Sequence, residues 1–331
     1  MKNKSTNTWV LAEVIRGNLS PVALELLFIA KKLAKETGDK VCAVLMTNDK
    51  KDFAQKLICH GADIVYVAED KCLANFDEDI YSQLLTDMIK AHTPNIFVLP
   101  ATSTGRSLSA KTAILADTGL TADATDLQID KETKLLHATR PTFGGNLMAT
   151  IMCEVKRPQM CSLRPLTYPQ TECDKKRKGE IVNFKVDAKK YKSNVKFVSF
   201  KELEDNEIDI CASEIIVAGG RGVKDEKGFA LLKQLADSIG GTVAASRAAV
   251  DNGLMPYRCQ VGLTGKTIKP KLYIACGISG QVQHMAGMSS SDVIVAINKD
   301  AEAPIMAQAK YALVGDVFEV IPQLISQLKS K

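Results

Sequence analysis

One segment of the sequence places several hydrogen-bonding side chains directly after an apolar run. Residues 272–288 read LYIACGISGQVQHMAGM, in which LYIAC is followed by Ser279, Gln281, Gln283 and His284. An apolar run that ends in glycine predicts a buried strand, and the return of apolar residues predicts a helix. With Ser279 as N-cap, that helix would offer its free N–H groups to an anion. The segment therefore predicts a ligand site.

Similar side chains follow the other predicted strands in the second half of the chain. These strands are EIIVAGG (214–220), TVAAS (242–246) and DVIVAIN (292–298), and the segment QVGLTGKT (260–267) lies between two of them. The polar residues at their ends are Arg221, Ser246, Arg247, Asn298, Lys299 and Asp300. Ligands of parallel α/β sheets bind at the carboxyl ends of the strands. Arg221, between two glycines, would contact a phosphate with two hydrogen bonds, so a nucleotide with a diphosphate fits this set.

The common nucleotide-binding motifs are not matched. G-x-G-x-x-G fails at residues 220–225 because Asp225 replaces its last glycine, and a Walker A loop would need glycine at Gln260. A P-loop ATPase is therefore disfavoured, whereas an NAD site and an FAD site both remain open. Two of these residues also have an interpretation without a ligand, in which His284 is a core histidine and Arg247 forms a surface ion pair. The shared position of these residues at strand ends favours the ligand site.

The alternation of predicted strands and helices indicates an α/β fold with two domains. Before residue 119, apolar strands alternate with helices, which is typical of a mainly parallel sheet covered by helices on both faces. Residues 136–155, rich in Thr and Gly, are expected to add antiparallel strands to that sheet. The charged stretch 171–209 precedes a second series of strands and helices. We expect an N-terminal α/β domain over 1–205 and a nucleotide-binding α/β domain over 206–331.

The composition is that of a globular protein and argues against several classes. Of the 331 residues 46% are hydrophobic and 24% charged. No apolar stretch reaches the roughly 18 to 20 residues that a membrane span needs. The net charge of +5 comes from 43 basic and 38 acidic residues, a balance that argues against nucleic acid as a partner. The first strand begins near Thr8, so no signal or transit peptide is expected.

The cysteines and histidines give no local metal-binding pattern. Nine cysteines are scattered without a C-x-x-C pair, and the four histidines lie far apart in the sequence. Several cysteines stand inside apolar runs, which is typical of buried free thiols in a reducing compartment. We therefore expect no metal site and a cytoplasmic location.

Several segments of the second half form a pattern that is found in a known family. The segments SRAAVDNG (246–253), QVGLTGKTIKPKLYIACGISGQVQHMAGM (260–288) and VAINKDAEAPI (295–305) closely resemble those of the electron-transfer flavoprotein alpha subunit. VAGGRGV (217–223) and RPTFGGN (140–146) are also similar to motifs of this family. The resemblance covers nearly the whole chain. It implies an FAD held mainly by the second domain, and an electron carrier without catalytic residues of its own.

The resemblance assigns flavin contacts to specific residues. It implies diphosphate contact in the region of Arg221 and Ser279, and adenosine contact at Asn298 and Asp316. The full set that it assigns to FAD is Arg221, Ser246, Arg247, Gln260, Val261, Gly262, Leu263, Thr264, Ser279, Gly280, Gln281, Val282, Gln283, His284, Asn298, Asp316 and Val317.

Three residues of this set are implied to lie near the isoalloxazine ring, namely Arg247, Thr264 and His284. A flavin that takes up an electron develops negative charge around N1 and O2. A cationic Arg247 and a hydrogen bond from His284 would stabilise that charge and raise the flavin potential.

The resemblance also implies protein partners. Members of the family work as a heterodimer with a beta subunit and shuttle electrons between acyl-CoA dehydrogenase-type flavoproteins and other redox partners. Related proteins of anaerobes carry a second FAD in the beta subunit and bifurcate electrons from NADH, and the sequence leaves this open. Two alternatives are an NAD-binding oxidoreductase and a nucleotide-sensing regulatory module, the latter with its ligand in residues 1–200.

Overall fold

The computed structural model describes residues 6–49, 51–142, 147–200 and 210–329. These residues form two compact units. The first unit holds the residues up to Pro141 and Met148–Phe200, and the second holds Thr142, Leu147 and the residues from 210 onward. The predicted domain boundary, between 205 and 206, lies outside the described residues and stays a prediction. Residues 143–146 of the motif RPTFGGN also lie outside them.

The first unit contains twelve strands and four helices among its described residues. The strands are β1 (Thr8–Ala12), β2 (Val14–Ile15), β3 (Asn18–Leu19), β4 (Val41–Thr47), β5 (Ile64–Glu69), β6 (Ile96–Pro100), β7 (Leu120–Ala124), β8 (Asp126–Ile129), β9 (Leu136–Thr142), β10 (Leu147–Ile151), β11 (Gln159–Leu163) and β12 (Glu180–Phe184). The helices are α1 (Val22–Thr37), α2 (Phe53–Cys59), α3 (Glu78–His92) and α4 (Ser103–Leu115).

Seven of these strands form one sheet in the order β12-β5-β4-β1-β6-β11-β7, with parallel pairing between neighbours. Successive residues of a strand point to opposite faces. Val10 of β1 accordingly belongs to the core layer that contains Leu26 of α1, whereas Trp9 belongs to the layer that contains Leu84 of α3. Helices therefore cover both faces, and strands buried on both faces appear in the sequence as continuous apolar runs.

Two features of the first unit differ from the expectation. Strands β8, β9 and β10 form a separate three-stranded sheet instead of extending the parallel one. The charged stretch 171–209 also contains β12, which pairs with β5 at the edge of the parallel sheet. Its residues are mostly exposed, with Ile181 at 46%, so this edge strand lacks the apolar signal that reveals a central strand.

The second unit repeats the parallel α/β arrangement. Its elements are β13 (Ile215–Gly219), α5 (Glu226–Ser238), β14 (Thr242–Ala245), α6 (Arg247–Asp251), β15 (Leu272–Cys276), α7 (Val282–Met285), β16 (Val293–Asn298), α8 (Pro304–Gln308), β17 (Tyr311–Val314) and α9 (Val317–Lys329). The five strands are parallel, in the order β14-β13-β15-β16-β17. The predicted fold class, with a mainly parallel sheet in each half, is confirmed.

The register of this sheet aligns the carboxyl ends of four strands. Gly219 of β13 pairs with both Ala245 of β14 and Cys276 of β15, and Cys276 pairs with Ile297 of β16. The polar residues that follow or end these strands are therefore brought to one edge of the sheet.

Candidate functional site

A cavity of ≈ 670 Å³ lies at this edge of the second unit. The predicted site residues that line it are Arg221, Ser246, Arg247, Val261, Gly262, Leu263, Thr264, Ser279, Gly280, Gln281, Gln283, His284 and Asn298. The volume falls in the range of about 300 to 1,000 Å³ typical of ligand and cofactor sites. Four predicted residues lie outside its lining, namely Gln260, Val282, Asp316 and Val317.

Close backbone contacts around glycine shape the walls of the cavity. A Cβ on Gly220 would lie 2.3 Å from the carbonyl oxygen of Gly277, so the loops after β13 and β15 can touch only without side chains there. Gly280 has a φ of +82°, and a Cβ on it would lie 2.5 Å from the backbone nitrogen of Ile305. Larger residues at these positions would be strained and would push the loops apart.

The loop after β15 differs from the predicted helix start. Helix α7 begins at Val282 with Gln281 in the N-cap position, so the prediction that Ser279 caps the helix is wrong. The Ser279 carbonyl instead accepts a hydrogen bond from the N–H of Ile305 at 3.2 Å. Among the described residues, the backbone N–H groups of Ser279 and Gly280 have no hydrogen-bond partner. These N–H groups remain available as donors to an anion.

Two arginines of different environment line the same cavity. Arg221 follows β13, is exposed, and has no ion-pair partner within the described ranges. Arg247 begins α6, and its Nε lies 3.3 Å from Oδ2 of Asp251. Both members of that pair are more than half exposed, so the pair is weak and Arg247 can exchange Asp251 for a ligand. The cavity therefore offers two cationic groups to an anionic ligand.

His284 contributes a buried donor or acceptor to the cavity. The residue is 8% exposed, and its Nε2 lies 2.9 Å from the hydroxyl of the fully buried Tyr273. Burial lowers the pKa of His284 to about 4, although the backbone of Val261, which approaches the ring without reaching hydrogen-bond geometry, partly opposes this. The ring is therefore neutral at pH 7. Its Nδ1 is buried and has no hydrogen-bond partner among the described residues.

The hydroxyl of Tyr273 pairs with one ring nitrogen of His284 and leaves the other to a ligand. Burial raises the pKa of Tyr273 well above its usual value, so its hydroxyl keeps its proton and can donate it to Nε2 of His284. When the hydroxyl donates, the proton of the neutral imidazole resides on Nδ1, which is then a donor toward the cavity. A ligand in the cavity would satisfy this buried N–H group, which is otherwise costly to leave unpaired.

Other predicted residues use their polar groups within the protein. The side chain of Asn298 donates from Nδ2 to the carbonyl of Ile278 at 2.8 Å and accepts at Oδ1 from the N–H of Asp300. Gln260 is buried, and its Nε2 donates to Oγ1 of Thr264 at 2.9 Å. Gln260 thus orients a residue of the cavity without lining it.

Three further predicted residues lie away from the cavity lining. Asp316 accepts from Lys299 at 2.6 Å and from the N–H of Phe318 at the start of α9. The Lys299 contact, followed by the Phe318 hydrogen bond, lowers the pKa of Asp316. Val317 is buried in the core, and Val282 is 47% exposed.

Sequence reasoning missed some residues that shape the site. Tyr273 stands in an otherwise aliphatic strand, and this exception was the available signal. Asp251 lies four residues after Arg247 on the same helix, a spacing that predicts an ion pair. The other lining residues that had not been predicted as ligand contacts are Gly220, Gly222, Ala248, Gly277, Ile278, Asp300 and Ala303.

Comparison with known proteins identifies the family. Residues 8–189 match the profile of the electron transfer flavoprotein domain, and residues 209–289 match that of the electron transfer flavoprotein FAD-binding domain. The electron transfer flavoprotein subunit alpha of Thermoanaerobacterium thermosaccharolyticum is 46% identical over 99% of this chain and 99% of its own. The chain belongs to the electron transfer flavoprotein alpha subunit family. The family predicted from sequence is thus confirmed, and so are electron transfer as the function and FAD as the cofactor.

Two other relatives have names that state a more specific role. The acryloyl-CoA reductase electron transfer subunit beta of Anaerotignum propionicum is 36% identical over 99% of this chain and 96% of its own. Subunit LctC of the lactate dehydrogenase (NAD(+),ferredoxin) of Acetobacterium woodii is 38% identical over 97% of this chain and 76% of its own. Both are similar in sequence to this chain over nearly all of its length.

The described residues fit a flavin dinucleotide. The exposed cation of Arg221 and the unpaired N–H groups of Ser279 and Gly280 suit a diphosphate. The unpaired Nδ1 of His284 suits an acceptor atom on a ring. Within the described part of the chain, no helix is long and apolar enough to cross a bilayer.

Proposed function

We propose that the cavity at the carboxyl ends of β13–β16 holds the FAD of this electron carrier. The observation that carries the assignment is the buried Nδ1 of His284, which lines the cavity and has no partner among the described residues. Arg221 and the N–H groups of Ser279 and Gly280 would bind the diphosphate. Thr264, held by Gln260, would lie near the isoalloxazine ring with His284.

At the adenosine end of the proposed site, the polar side chains are already paired within the protein. Asn298 lines the cavity, but its amide already bonds to Ile278 and Asp300. Asp316 would reach an adenosine hydroxyl only if it exchanged its contact with Lys299. The remaining predicted contacts, Gln260, Val282 and Val317, would act through neighbouring residues or the backbone. We therefore expect substitutions at these positions to affect FAD less than substitutions at Arg221.

FAD accepts and releases electrons when it is bound, and the chain adjusts how readily it does so. Arg247 brings a permanent positive charge, partly balanced by Asp251. His284 brings a neutral N–H dipole, since burial lowers its pKa to about 4. Both favour negative charge on a nearby ring, and Arg247 acts more strongly because it carries a full charge, whereas neutral His284 offers only a dipole.

The electron carrier is proposed to work as the alpha subunit of a heterodimer with a beta subunit. An acyl-CoA dehydrogenase-type flavoprotein is the proposed electron partner, and the acryloyl-CoA reductase named for one relative supports this choice. A second candidate role is electron bifurcation from NADH. The relative whose name contains both NAD(+) and ferredoxin favours it. A cytoplasmic location is also proposed, since the nine cysteines are free thiols.

The test is to co-express the chain with a beta subunit and to measure the number of flavins per heterodimer. A second measurement follows the reduction of the bound flavin by an acyl-CoA dehydrogenase that is supplied with its substrate. We expect a one-to-one complex, FAD on the second half of this chain, and transfer of electrons to it. One flavin indicates a simple carrier and two indicate the bifurcating type. A stable FAD-replete monomer that works without a beta subunit would contradict the proposal.

A further inference from the structure

Two cysteines and a histidine that are distant in the sequence meet in the first unit. Cys59 ends α2, His60 follows it, and Cys173 lies in the segment before β12. The two sulfur atoms and one imidazole nitrogen all lie within 4.8 Å of one another. Because more than a hundred residues separate Cys173 from the other two, no local spacing in the sequence reveals the group.

Hydrogen bonds to main-chain carbonyls hold the three residues together. The N–H of Asp174 donates to the carbonyl of Cys59 at 2.8 Å, which fixes the segment around Cys173 to the end of α2. The imidazole of His60 bonds through Nδ1 to the carbonyl of Thr171 at 2.6 Å. Arg177 continues the attachment by bonding to the carbonyl of Gly61 at 3.2 Å. The end of α2 and the segment around Cys173 are therefore held in place relative to each other before any ion binds.

The hydrogen bond of His60 has a chemical consequence. A carbonyl oxygen only accepts, so Nδ1 must carry the proton and donate it to Thr171. The lone pair then lies on Nε2. A histidine that donates one N–H to a backbone carbonyl while its other nitrogen binds an ion is the usual arrangement in metal sites.

We propose that Cys59, His60 and Cys173 bind a thiophilic divalent cation of the Zn²⁺ type, with two thiolates and one imidazole as ligands. Thiolate and imidazole ligands select zinc over calcium or magnesium. The two thiols release their protons on binding, so their two negative charges balance the charge of the ion. Three protein ligands leave a fourth position for water, on the side where Cys173 is exposed.

The distance between the two sulfur atoms allows a zinc ion to bind with little movement of the side chains. Zinc–sulfur bonds of about 2.3 Å at tetrahedral angles place two sulfur atoms about 3.8 Å apart. The two sulfur atoms lie within 4.8 Å of each other, so they need to close by about 1 Å at most, which small side-chain rotations provide. The bound ion would join the end of α2 to the segment that leads into the edge strand β12. Its role would be to stabilise the first unit, separately from the flavin.

The experiment titrates Co²⁺, as a spectroscopic substitute for Zn²⁺, into the full-length chain after reduction and removal of metal with a chelator. We expect one Co²⁺ per chain, a thiolate-to-cobalt charge-transfer band, and displacement by Zn²⁺. Cys59→Ser, Cys173→Ser and His60→Gln should each weaken binding by at least about 100-fold, the upper end of the loss caused by removing only a supporting group. Zn²⁺ should also raise the thermal unfolding midpoint of the parent.

Cys153→Ser is the matched control, because Cys153 is another free and half-buried thiol of the first unit. It should keep the charge-transfer band and the stabilisation by Zn²⁺. The proposal is overturned if the reduced parent, with its thiols shown to be titratable, gives no such band. It is equally overturned if Cys173→Ser gives the same band as the parent. Circular dichroism of each variant establishes that a lost band does not reflect unfolding.

Discussion

Near the carboxyl end of β7 in the first unit, Asp123 is bound by two arginines, whereas at the corresponding edge of the second unit several polar groups lack a partner among the described residues. Asp123 of β7 accepts hydrogen bonds from Arg164, which follows β11, at 2.6 Å and from Arg106 of α4 at 3.2 Å. At the equivalent edge of the five-stranded sheet, Arg221 has no ion-pair partner and Nδ1 of His284 has no hydrogen bond within the described residues.

The pKa values of the two regions show the same difference. Burial alone would raise the pKa of Asp123, but the hydrogen bonds and charges of Arg164 and Arg106 outweigh it and hold the pKa below its usual value. His284 has no such charged partner, so burial lowers its pKa to about 4. Two sheets of similar architecture thus place polar groups at corresponding edges. Glu13, which follows β1 in the first unit, also keeps one buried oxygen, Oε2, without a partner in the described part of the chain, so a single unpaired group does not mark a site. The proposed binding site is distinguished by the cations, free N–H groups and unpaired imidazole nitrogen that, among the described residues, meet in one cavity.

The largest effect is expected in the acid stability of the apoprotein. Between pH 4 and 6.5 the unfolded chain protonates His284 and the folded chain does not, so unfolding is favoured as pH falls through this window. The loss should reach about 3 kcal/mol near pH 4, whereas Asp123 contributes only below that range. Urea titrations from pH 4.5 to 7.5 measure it.

His284→Asn should flatten that pH dependence relative to the parent. His92 of the first unit also has a pKa lowered by burial, and its contribution remains in both proteins. The difference between parent and variant therefore isolates His284. Equal slopes for the two proteins would show that His284 is not buried as a neutral group, and the contrast with Asp123 would fail.

Removal of the negative charge of Asp123 in the first unit should reduce the free energy of unfolding by somewhat less than acid does through His284. Asp123→Asn keeps a residue that tolerates the φ of +60° at this position but leaves Arg106 and Arg164 without their anion. We expect a loss of about 2.5 kcal/mol in the free energy of unfolding, slightly below the usual cost of breaking a buried pair. FAD retention should stay within about twofold, because the site lies in the other unit; urea unfolding and dialysis measure both quantities.

Asp117→Asn is the matched control for that substitution. Asp117 also has a positive φ of 52° and forms an ion pair, with Lys156, but its side chain is 86% exposed. The control should change stability by less than about 1 kcal/mol. Equal losses in the two variants would mean that the Asp123 network is no more than a surface contact.

The sequence predicted the site edge better than the contacts within it. Apolar strands ending in glycine or small residues marked the carboxyl ends of β13, β14, β15 and β16, because this information is local. Their shared register then brought most of the predicted residues to one cavity. The cap at Ser279 was wrong because the loop continues past it. Gly280 has a φ of +82°, Gln281 takes the N-cap position, and the Ser279 carbonyl bonds to Ile305.

Features that depend on distant segments could not be predicted. The pairing of β12 with β5, the hydrogen bond between Tyr273 and His284, and the meeting of Cys173 with Cys59 all join residues that no sequence period connects. The pKa of His284 also depends on burial, which residue type alone does not determine. Such contacts arise from the tertiary fold, which overrides local preference.

Loss of the unpaired arginine should weaken FAD binding without affecting the fold. Arg221→Ala removes a charge-assisted hydrogen bond to the diphosphate, and we expect a loss of about 2 kcal/mol in binding, or roughly 30-fold. Lys227→Ala, which removes an exposed cation of α5 outside the cavity lining, should keep the affinity of the parent. Fluorescence titration of the apoproteins with FAD gives both constants. Identical affinities for the two variants would place the diphosphate elsewhere.

The smallest effects should appear in the potential of the bound FAD, and they compare the two groups proposed to lie near its ring. Arg247→Ala should lower the potential by about 30 to 60 mV, which is about 0.7 to 1.4 kcal/mol per electron.

His284→Asn should lower the potential less, because His284 is neutral and Asn keeps a donor. Tyr273→Phe should resemble His284→Asn, since it removes the hydroxyl bonded to Nε2 of His284, which can hold the proton of the ring on Nδ1. Asp251→Asn should act in the opposite direction and raise the potential, because it removes the anion 3.3 Å from Arg247. Potentiometric titration after a check of FAD content measures all four variants. Four unchanged potentials would leave these residues with a role in binding alone.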